Sequence, residues 1–390
     1  MTLTMTTADH VLKTAYLDVV SEYLNYNTNP FLAKVKRTSD NVWGKEIKKI
    51  VKLGVSGGIG AGSEAGDLPQ PFPGAYQEFV ITLKNLYGTI ELTDKAIRAA
   101  QNKSGAFVNI LNEEISSLLK TSEYNFSRML YGDGSGKLAN IYAGTINTLS
   151  LDSAKNITNG ITFQIHKPDG SFQEEDGKVH KVVNVNYADN SIILTPAITN
   201  LDGIEECFIT MQGAYNNEIT GLGAIFSQSI PMLYGCTRSS IYLPKPKEVY
   251  GEITEAKMQE VIDELYDYSG SKVDFILCSS GVKRALIQHL STYRRNMEMT
   301  EVQAGVKTLS FNGIPVVSDR FCPNGTMFFL NSEDFTLHQL CDWEWIEGDD
   351  GKILKQVQGK PVYRATLVKY AELLCSRPWG QAMLTGITEA

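Results

Sequence analysis

At 390 residues, 43% of them hydrophobic, the chain has room for two or three domains with ordinary cores, which excludes wholesale disorder. A net charge of −8 and a pI of 5.3 exclude a basic domain that gains nucleic-acid affinity by neutralising phosphates. No uncharged apolar stretch reaches the roughly 18 residues that mark a membrane span, and MTLTMTTADHVLK lacks the basic head and apolar run of a secretory signal.

Residues 8–26 carry Leu12, Tyr16, Val19, Tyr23 and Leu24 close to one helical stripe, so an amphipathic helix is expected there. Such a short helix must dock on something. Asn29-Pro30 disfavours helix and ends it. Two strands are expected next, Trp43–Leu53 and Glu78–Leu92, the second with Phe79, Ile81 and Leu83 alternating against Val80, Thr82 and Lys84. Between them GVSGGIGAGSEAGDLPQPFPGAYQ places six glycines at positions 54–66 ahead of Pro69, Pro71 and Pro73, which excludes regular secondary structure. The connector exceeds ordinary hairpin loops, and a strand of 11 residues extends about 36 Å, further than a small core can cover. The pattern is that of a two-stranded arm with a flexible tip, marginal alone and expected to pack on a neighbouring subunit. Lys34, Lys36, Arg37, Lys45, Lys48, Lys49 and Lys52 form the one cationic concentration, read first as a solvated strand and loop surface.

Thr93 is placed to cap a short helix, DKAIRAAQ. From Gly105 to Gly136, Phe107, Leu111, Ile115, Leu118, Phe126 and Met129 recur at helical spacing, with Glu113, Glu114, Lys120, Glu123 and Arg128 largely between them. A helix of this length spans about 40 Å, enough to brace a domain. Beyond Gly136 the composition turns to strand. Ile161–His166, Lys178–Val185, Ser191–Thr195 and Glu206–Met211 are separated by turn sequences such as Lys167-Pro168-Asp169-Gly170, which suggests a small barrel or sandwich inserted in the chain. An α/β unit follows: a helix over Glu255–Tyr268, a strand over Val273–Leu277 and a helix capped by Ser280. The rest is mostly strand, closing with the long apolar run VYRATLVKYAELLCSRP suited to a central sheet.

Tests for catalytic chemistry fail. A GxGxxG starting at Gly58 or Gly60 would need glycine where Ser63 and Ala65 stand, and a Walker loop ending at Gly136-Lys137 would need glycine at Tyr131 and a hydroxyl at Leu138. His10, His166, His180, His289 and His338 fall in no HExxH or nucleophile motif and are expected to be surface or hydrogen-bonded core residues. Glu113-Glu114 and Glu205-Glu206 read as solvated charges, and Asp349-Asp350-Gly351 as a turn. Cys207, Cys236, Cys278, Cys322, Cys341 and Cys375 have no pair closer than 19 residues, which leaves no CxxC or zinc spacing and suggests reduced, mostly buried thiols of a cytoplasmic protein. No catalytic residue, cofactor or metal is expected, so an enzyme is disfavoured.

Three stretches in order resemble the major capsid proteins of tailed phages with the Hong Kong 97-type fold. They are the helix ending Leu130-Tyr131-Gly132-Asp133-Gly134-Ser135-Gly136; Gly313-Ile314-Pro315-Val316-Val317-Ser318-Asp319 followed by Cys322-Pro323-Asn324-Gly325-Thr326 and a strand ending Leu330-Asn331; and a closing strand with Ala371-Glu372-Leu373 and Arg377-Pro378. The resemblance implies an α+β fold with an N-terminal arm at 1–40, an extended E-loop at 41–92 and the spine helix of a peripheral domain at 93–136. It further implies an inserted β domain at 137–222, an α/β axial domain at 223–320, and the rest of the peripheral sheet with a C-terminal strand at 321–390. Assembly contacts would come from Trp43, Lys48, Lys52, Gly58, Gly62, Pro71, Phe79 and Lys84 of the E-loop. Phe107, Leu111, Tyr131, Gly132, Asp133 and Gly134 would supply those of the helix and its turn.

Some members carry a long charged scaffolding segment ahead of the arm; only about 40 residues precede it here, which implies a separate scaffolding protein. Some members cross-link subunits through an arm lysine and an asparagine, but no motif selects Lys84 or its neighbours for that. The implied product is a phage head of hexamers and pentamers, a virion component assembled in the host cytoplasm. Its implied partners are copies of the chain, a scaffolding protein, a portal protein and, without sequence specificity, packaged double-stranded DNA, with no membrane. Two alternatives stay open: an encapsulin-type compartment enclosing enzymes, and an α/β enzyme with a β-rich accessory domain.

Overall fold

The computed structural model describes residues 29–40, 42, 46–64, 66–95, 104–174, 177–293, 299–302, 306–348 and 351–390. The helix expected over 8–26, Trp43, His10, most of DKAIRAAQ and Asp349-Asp350 lie outside them. The chain divides into two units, one of residues 1–33, 84–223 and 341–371, the other of residues 34–83, 224–340 and 372–390.

The first unit is built on the helix α1, Ser104–Met129, 26 residues long. Its described apolar face runs through Ile115, Leu119, Ser122, Phe126 and Met129, all buried. This is the expected stripe turned by one residue, since Leu119 rather than Leu118 lies deepest. The face covers the strand Lys84–Thr93, whose alternate residues Leu86, Ile90 and Leu92 are buried. Gly88 lies between them because a Cβ there would come within 2.9 Å of Leu118 Cδ1. Lys84–Thr93 pairs antiparallel with residues 362–371 of the 14-residue strand Val362–Cys375, Lys84 opposite Ala371 and Thr93 opposite Val362. On the other side of the same strand, Lys355–Gln356 pairs antiparallel, Lys355 opposite Arg364.

The same unit holds a closed six-stranded barrel in the order Phe208–Met211, Lys137–Gly144, Thr148–Leu151, Ser191–Thr195, His180–Asn186, Thr162–His166. Alternate residues point inward, so Ile141, Leu149, Phe163, Val182, Ile192 and Ile209 make its core. The four strands expected from turn spacing are present. Two more, Lys137–Gly144 and Thr148–Leu151, close the barrel; their weaker alternation hid them.

The second unit is α/β. Its mixed sheet runs Lys247–Gly251, Ala382–Ile387, Met327–Leu330, Phe275–Cys278, Ile314–Ser318, Val306–Phe311, Met299–Val302. A short helix α2, Leu222–Phe226, leads into it. Helix α3, Glu255–Ser269, starts at Thr254, whose Oγ1 accepts from Lys257 N at 3.3 Å, and stops at Gly270 in the left-handed region. Met258, Val261 and Leu265 of α3 pack with Ile276, Cys278 and Phe329 of the sheet. Helix α4 is Ser280–Tyr293. Its cap is Ser279 and not the expected Ser280, since Ser279 Oγ accepts from Val282 N. Met327–Leu330 and Ala382–Ile387, near the end of the chain, lie in this sheet, not in the one that α1 covers. Chain order gave no sign of this, because each short apolar strand suits either sheet.

The expected strand Glu78–Leu92 is two strands. Tyr76–Ile81 pairs with Ile47–Lys52 in a two-stranded arm, and Lys84–Thr93 begins afresh in the α1 unit. Continuous alternation across Thr82-Leu83 concealed a break at which the chain changes sheets. The arm ladder is therefore six residues long rather than eleven.

Candidate assembly surface

The arm's register sets Ile47 opposite Ile81 at the base and Lys52 opposite Tyr76 at the far end. Burial alternates between the two faces of this ladder and ends at the connector. Phe79, Ile81, Ile47 and Val51 are buried, whereas Ile50, Tyr76 and the connector residues Val55, Ile59, Leu68 and Phe72 are exposed. An apolar tip in water is costly unless another surface covers it. The connector is not a random coil: Gly58 has φ +89°, and a Cβ there would lie 3.1 Å from Gln70 O and Pro71 Cα, so its two limbs run side by side. Gly62 meets nothing closer than Asp67 O at 3.7 Å.

Of the expected arm residues, Lys48 is exposed and 3.6 Å from Glu78, and Lys52, Gly58, Gly62 and Pro71 are exposed. Phe79 is fully buried against Tyr234 of the same chain, with ring centroids 5.5 Å apart, and thus belongs to the arm's root. Lys84 stands beyond the break, and its Nζ donates to Asn216 O at 2.9 Å. Trp43 and the side chains of Phe107 and Leu111 lie outside the described residues.

The turn after α1 is tightly built. Tyr131 N donates to Arg128 O and Gly132 N to Met129 O, while Asp133 Oδ1 accepts from Ser135 N at 2.9 Å and Ser135 Oγ at 2.5 Å. Gly134 and Gly136 have positive φ, and a Cβ on Gly136 would sit 2.4 Å from Ala214 O. Tyr131 is buried; Gly132, Asp133 and Gly134 are half-buried.

Two features here escaped the sequence. Arg128, expected on the polar side of the helix, is only 4% exposed: it pairs with buried Glu218 and donates twice to Asn125 Oδ1, at 3.1 and 2.7 Å. Its partner lies 90 residues away, so no local spacing could reveal it. Gly221 presses on the last carbonyls of α1, where a Cβ would lie 2.4 Å from Met129 O and 2.5 Å from Leu130 O, while Leu222 N donates to Leu130 O at 2.8 Å. The open end of the helix is thereby satisfied from outside.

In the barrel unit, Glu174 accepts from Thr199 N, Thr199 Oγ1 and His180 Nε2. Burial works to raise this carboxyl, but the bonds from Thr199 and His180 outweigh it and hold it below the usual carboxylate range. His180 is satisfied as expected; His338 is not, being buried with both ring nitrogens unpartnered. All six cysteines are free; Cys341 is half-buried and the others buried, with burial raising Cys278 to about 12. Among the described residues no group of His, Cys, Asp or Glu is placed to hold a metal ion, and no helix is long and apolar enough to cross a membrane.

The fold is that of capsid shell proteins. A chain of the cyanophage A-1(L) capsid asymmetric unit superposes with a TM-score of 0.57 over 95% of this chain and 93% of that one, at 12% identity. Weaker likenesses include the SrpI encapsulin of Synechococcus elongatus PCC 7942, with TM-score 0.45, 9% identity, and 95% of each chain covered. The capsid of Myoviridae phage XM1 gives 0.44 at 9% identity, over 93% and 92%. These two are too distant to favour one kind of shell over another. No curated protein sequence matches. The model of the SU10 major capsid protein family matches residues 158–351, from within the barrel through the α/β unit. The chain belongs to the tailed-phage major capsid proteins and is a component of the virion capsid.

Proposed function

We propose that this capsid protein closes an icosahedral head as hexamers and pentamers. In this reading the arm, Ile47–Lys52 and Tyr76–Ile81 with the connector between them, serves as the E-loop, α1 with Lys84–Thr93 and residues 341–371 as the spine and sheet of a peripheral domain, the α/β unit as the axial domain, and the barrel as an inserted domain. The observation that carries the reading is the arm, whose root is buried in its own chain while its glycine-rich end exposes Ile59 at 92% and Leu68 at 88%. The edge of Ile47–Lys52 away from its partner strand would invite another chain. Repeated contacts of one patch on a different patch close into rings when the rotation closes. Glycines at the tip would let it meet neighbours at slightly different angles in hexamers and pentamers. The contacts would be made by Lys48, Lys52, Gly58, Gly62 and Pro71 at the arm and by the turn Tyr131–Gly134.

A scaffolding protein guides assembly and a portal protein occupies one vertex in this proposal. The acidic chain would hold packaged double-stranded DNA loosely, with arm lysines available to touch phosphates. Assembly takes place in the host cytoplasm, and the role is structural, without catalysis. To test this, the chain is expressed with and without a scaffolding partner and imaged by electron microscopy, beside a variant lacking residues 54–74. Closed shells from the full chain and unassembled, folded subunits from the deletion are expected. A full chain that stays monomeric under both conditions overturns the proposal.

A further inference from the structure

The tight hairpin Met232–Leu233 with Cys236–Thr237 has a buried aromatic residue at a position that ordinarily belongs to Asn or Gly. Tyr234 has φ +51° and Gly235 φ +78°, the paired left-handed conformations of a two-residue turn. A bulky residue held there is strained, and such strain persists only where the surroundings over-determine it. Here the carbonyl, ring and hydroxyl of Tyr234 are all engaged. Its carbonyl accepts from Val80 N at 2.9 Å, its ring packs on Phe79, and its hydroxyl accepts from Cys375 N at 3.1 Å. Beside it, Cys236 Sγ donates to Glu78 O at 3.3 Å, and a Cβ on Gly235 would lie 3.4 Å from Val80 Cβ. The hairpin is itself braced by Arg238, which donates to Ile230 O at 2.6 Å, to Ala224 O at 3.3 Å and to Ser227 O.

We propose that Tyr234 is the anchoring post of the arm, a positioning residue that clamps the strand Tyr76–Ile81 at its root and ties it to the end of the long strand Val362–Cys375. The clamp touches the backbone of Glu78 and Val80 and the buried ring of Phe79, and stops before Tyr76, which is 61% exposed. Adjustment to a neighbouring copy is then confined to the distal half and the glycine tip, and the arm leaves its own body at one fixed angle. This rests on the reading of the arm as an assembly element.

The test is amide hydrogen exchange on the unassembled full-length chain, followed by imaging of whatever shells form. Tyr234→Phe removes only the hydroxyl: the Cys375 amide is expected to exchange at least tenfold faster while Val80 stays protected. Tyr234→Gly keeps the turn and removes the ring, and Val80 is expected to exchange at least tenfold faster too, with shells becoming irregular in size. The barrel amides Ile165 and Ile209 serve as the control for global unfolding. Val80 protection within twofold of the parent in Tyr234→Gly overturns the proposal. If Tyr234→Gly loosens the barrel as well, Tyr234→Phe decides, and an unchanged Cys375 amide then overturns it. Exchange is read before assembly, so a parent chain that makes no shells refutes the assembly reading without touching the anchor.

Discussion

Replacing Arg128 with Ala tests whether the end of α1 is held by a buried ion pair or merely by apolar packing. Arg128 and Glu218 are 4% and 3% exposed at their side chains, and the guanidinium also donates to Asn125. Removing one member of such a pair leaves the other charge buried without compensation, which costs about 3–5 kcal/mol. Losing a cation from the last turn of a helix adds about 0.3–1 kcal/mol. An exposed pair would contribute no more than about 1 kcal/mol, so the burial decides the magnitude. Replacing both residues by Met keeps the volume and removes both charges, and such swaps are often neutral or stabilising by about 1–4 kcal/mol. The assay is urea unfolding of unassembled protein, comparing Arg128→Ala, Glu218→Met and the double Met variant. A large loss in each single variant with recovery in the double is expected. A loss under about 1 kcal/mol in Arg128→Ala, or a double variant as weak as the singles combined, refutes the argument.

Three further outcomes follow from the same structure. Gly221→Ala drives a Cβ to 2.4 Å from Met129 O, against backbone that cannot yield; a loss of about 1–3 kcal/mol or more in the same assay is expected, whereas Gly213→Ala, with open space around it, should lose only what its positive φ imposes. His338 is pushed down by burial first and by Lys49 second, so its folded value lies below its unfolded one; the neutral ring supports folding above the unfolded value near 6.5, and that support is lost as pH falls. His338→Phe should accordingly flatten the decline of melting temperature between about pH 6.5 and 5, and an unchanged slope would count against the reasoning. Glu174, held low, contributes stability above the unfolded carboxylate range that is lost as pH falls through its folded value. In Glu174→Gln, exchange protection in the Thr199 loop at neutral pH should drop to what the parent shows in acid, and retained protection would show that the carboxylate is dispensable.

Much of the architecture could be read from local pattern, because it depends on local physics. The 3.6-residue spacing through Ile115, Phe126 and Met129 marks α1 within a residue or two, and Tyr131–Gly136 marks its stop. The turn sequence Lys167-Pro168-Asp169-Gly170 follows a barrel strand because those residues favour the backbone that turns require. The glycine and proline run 54–73 excludes helix and strand for steric reasons that hold in any fold.

Long-range partnership is what the tertiary structure alone decided. A strand alternates in the same way whichever sheet receives it, so nothing in Glu78–Leu92 announced that Tyr76–Ile81 would pair within the arm and Lys84–Thr93 with residues 362–371. Arg128 has the spacing of a solvated residue and is buried by Glu218, and Phe79 looks like an arm contact yet is taken by Tyr234. The sequence by itself determined where α1, α3, α4, the barrel turns and the glycine- and proline-rich tip lie, since steric and periodic preferences act over a few residues. The roots of the arm and of α1 depend on groups 90 or more residues apart, and only the folded chain brings those together.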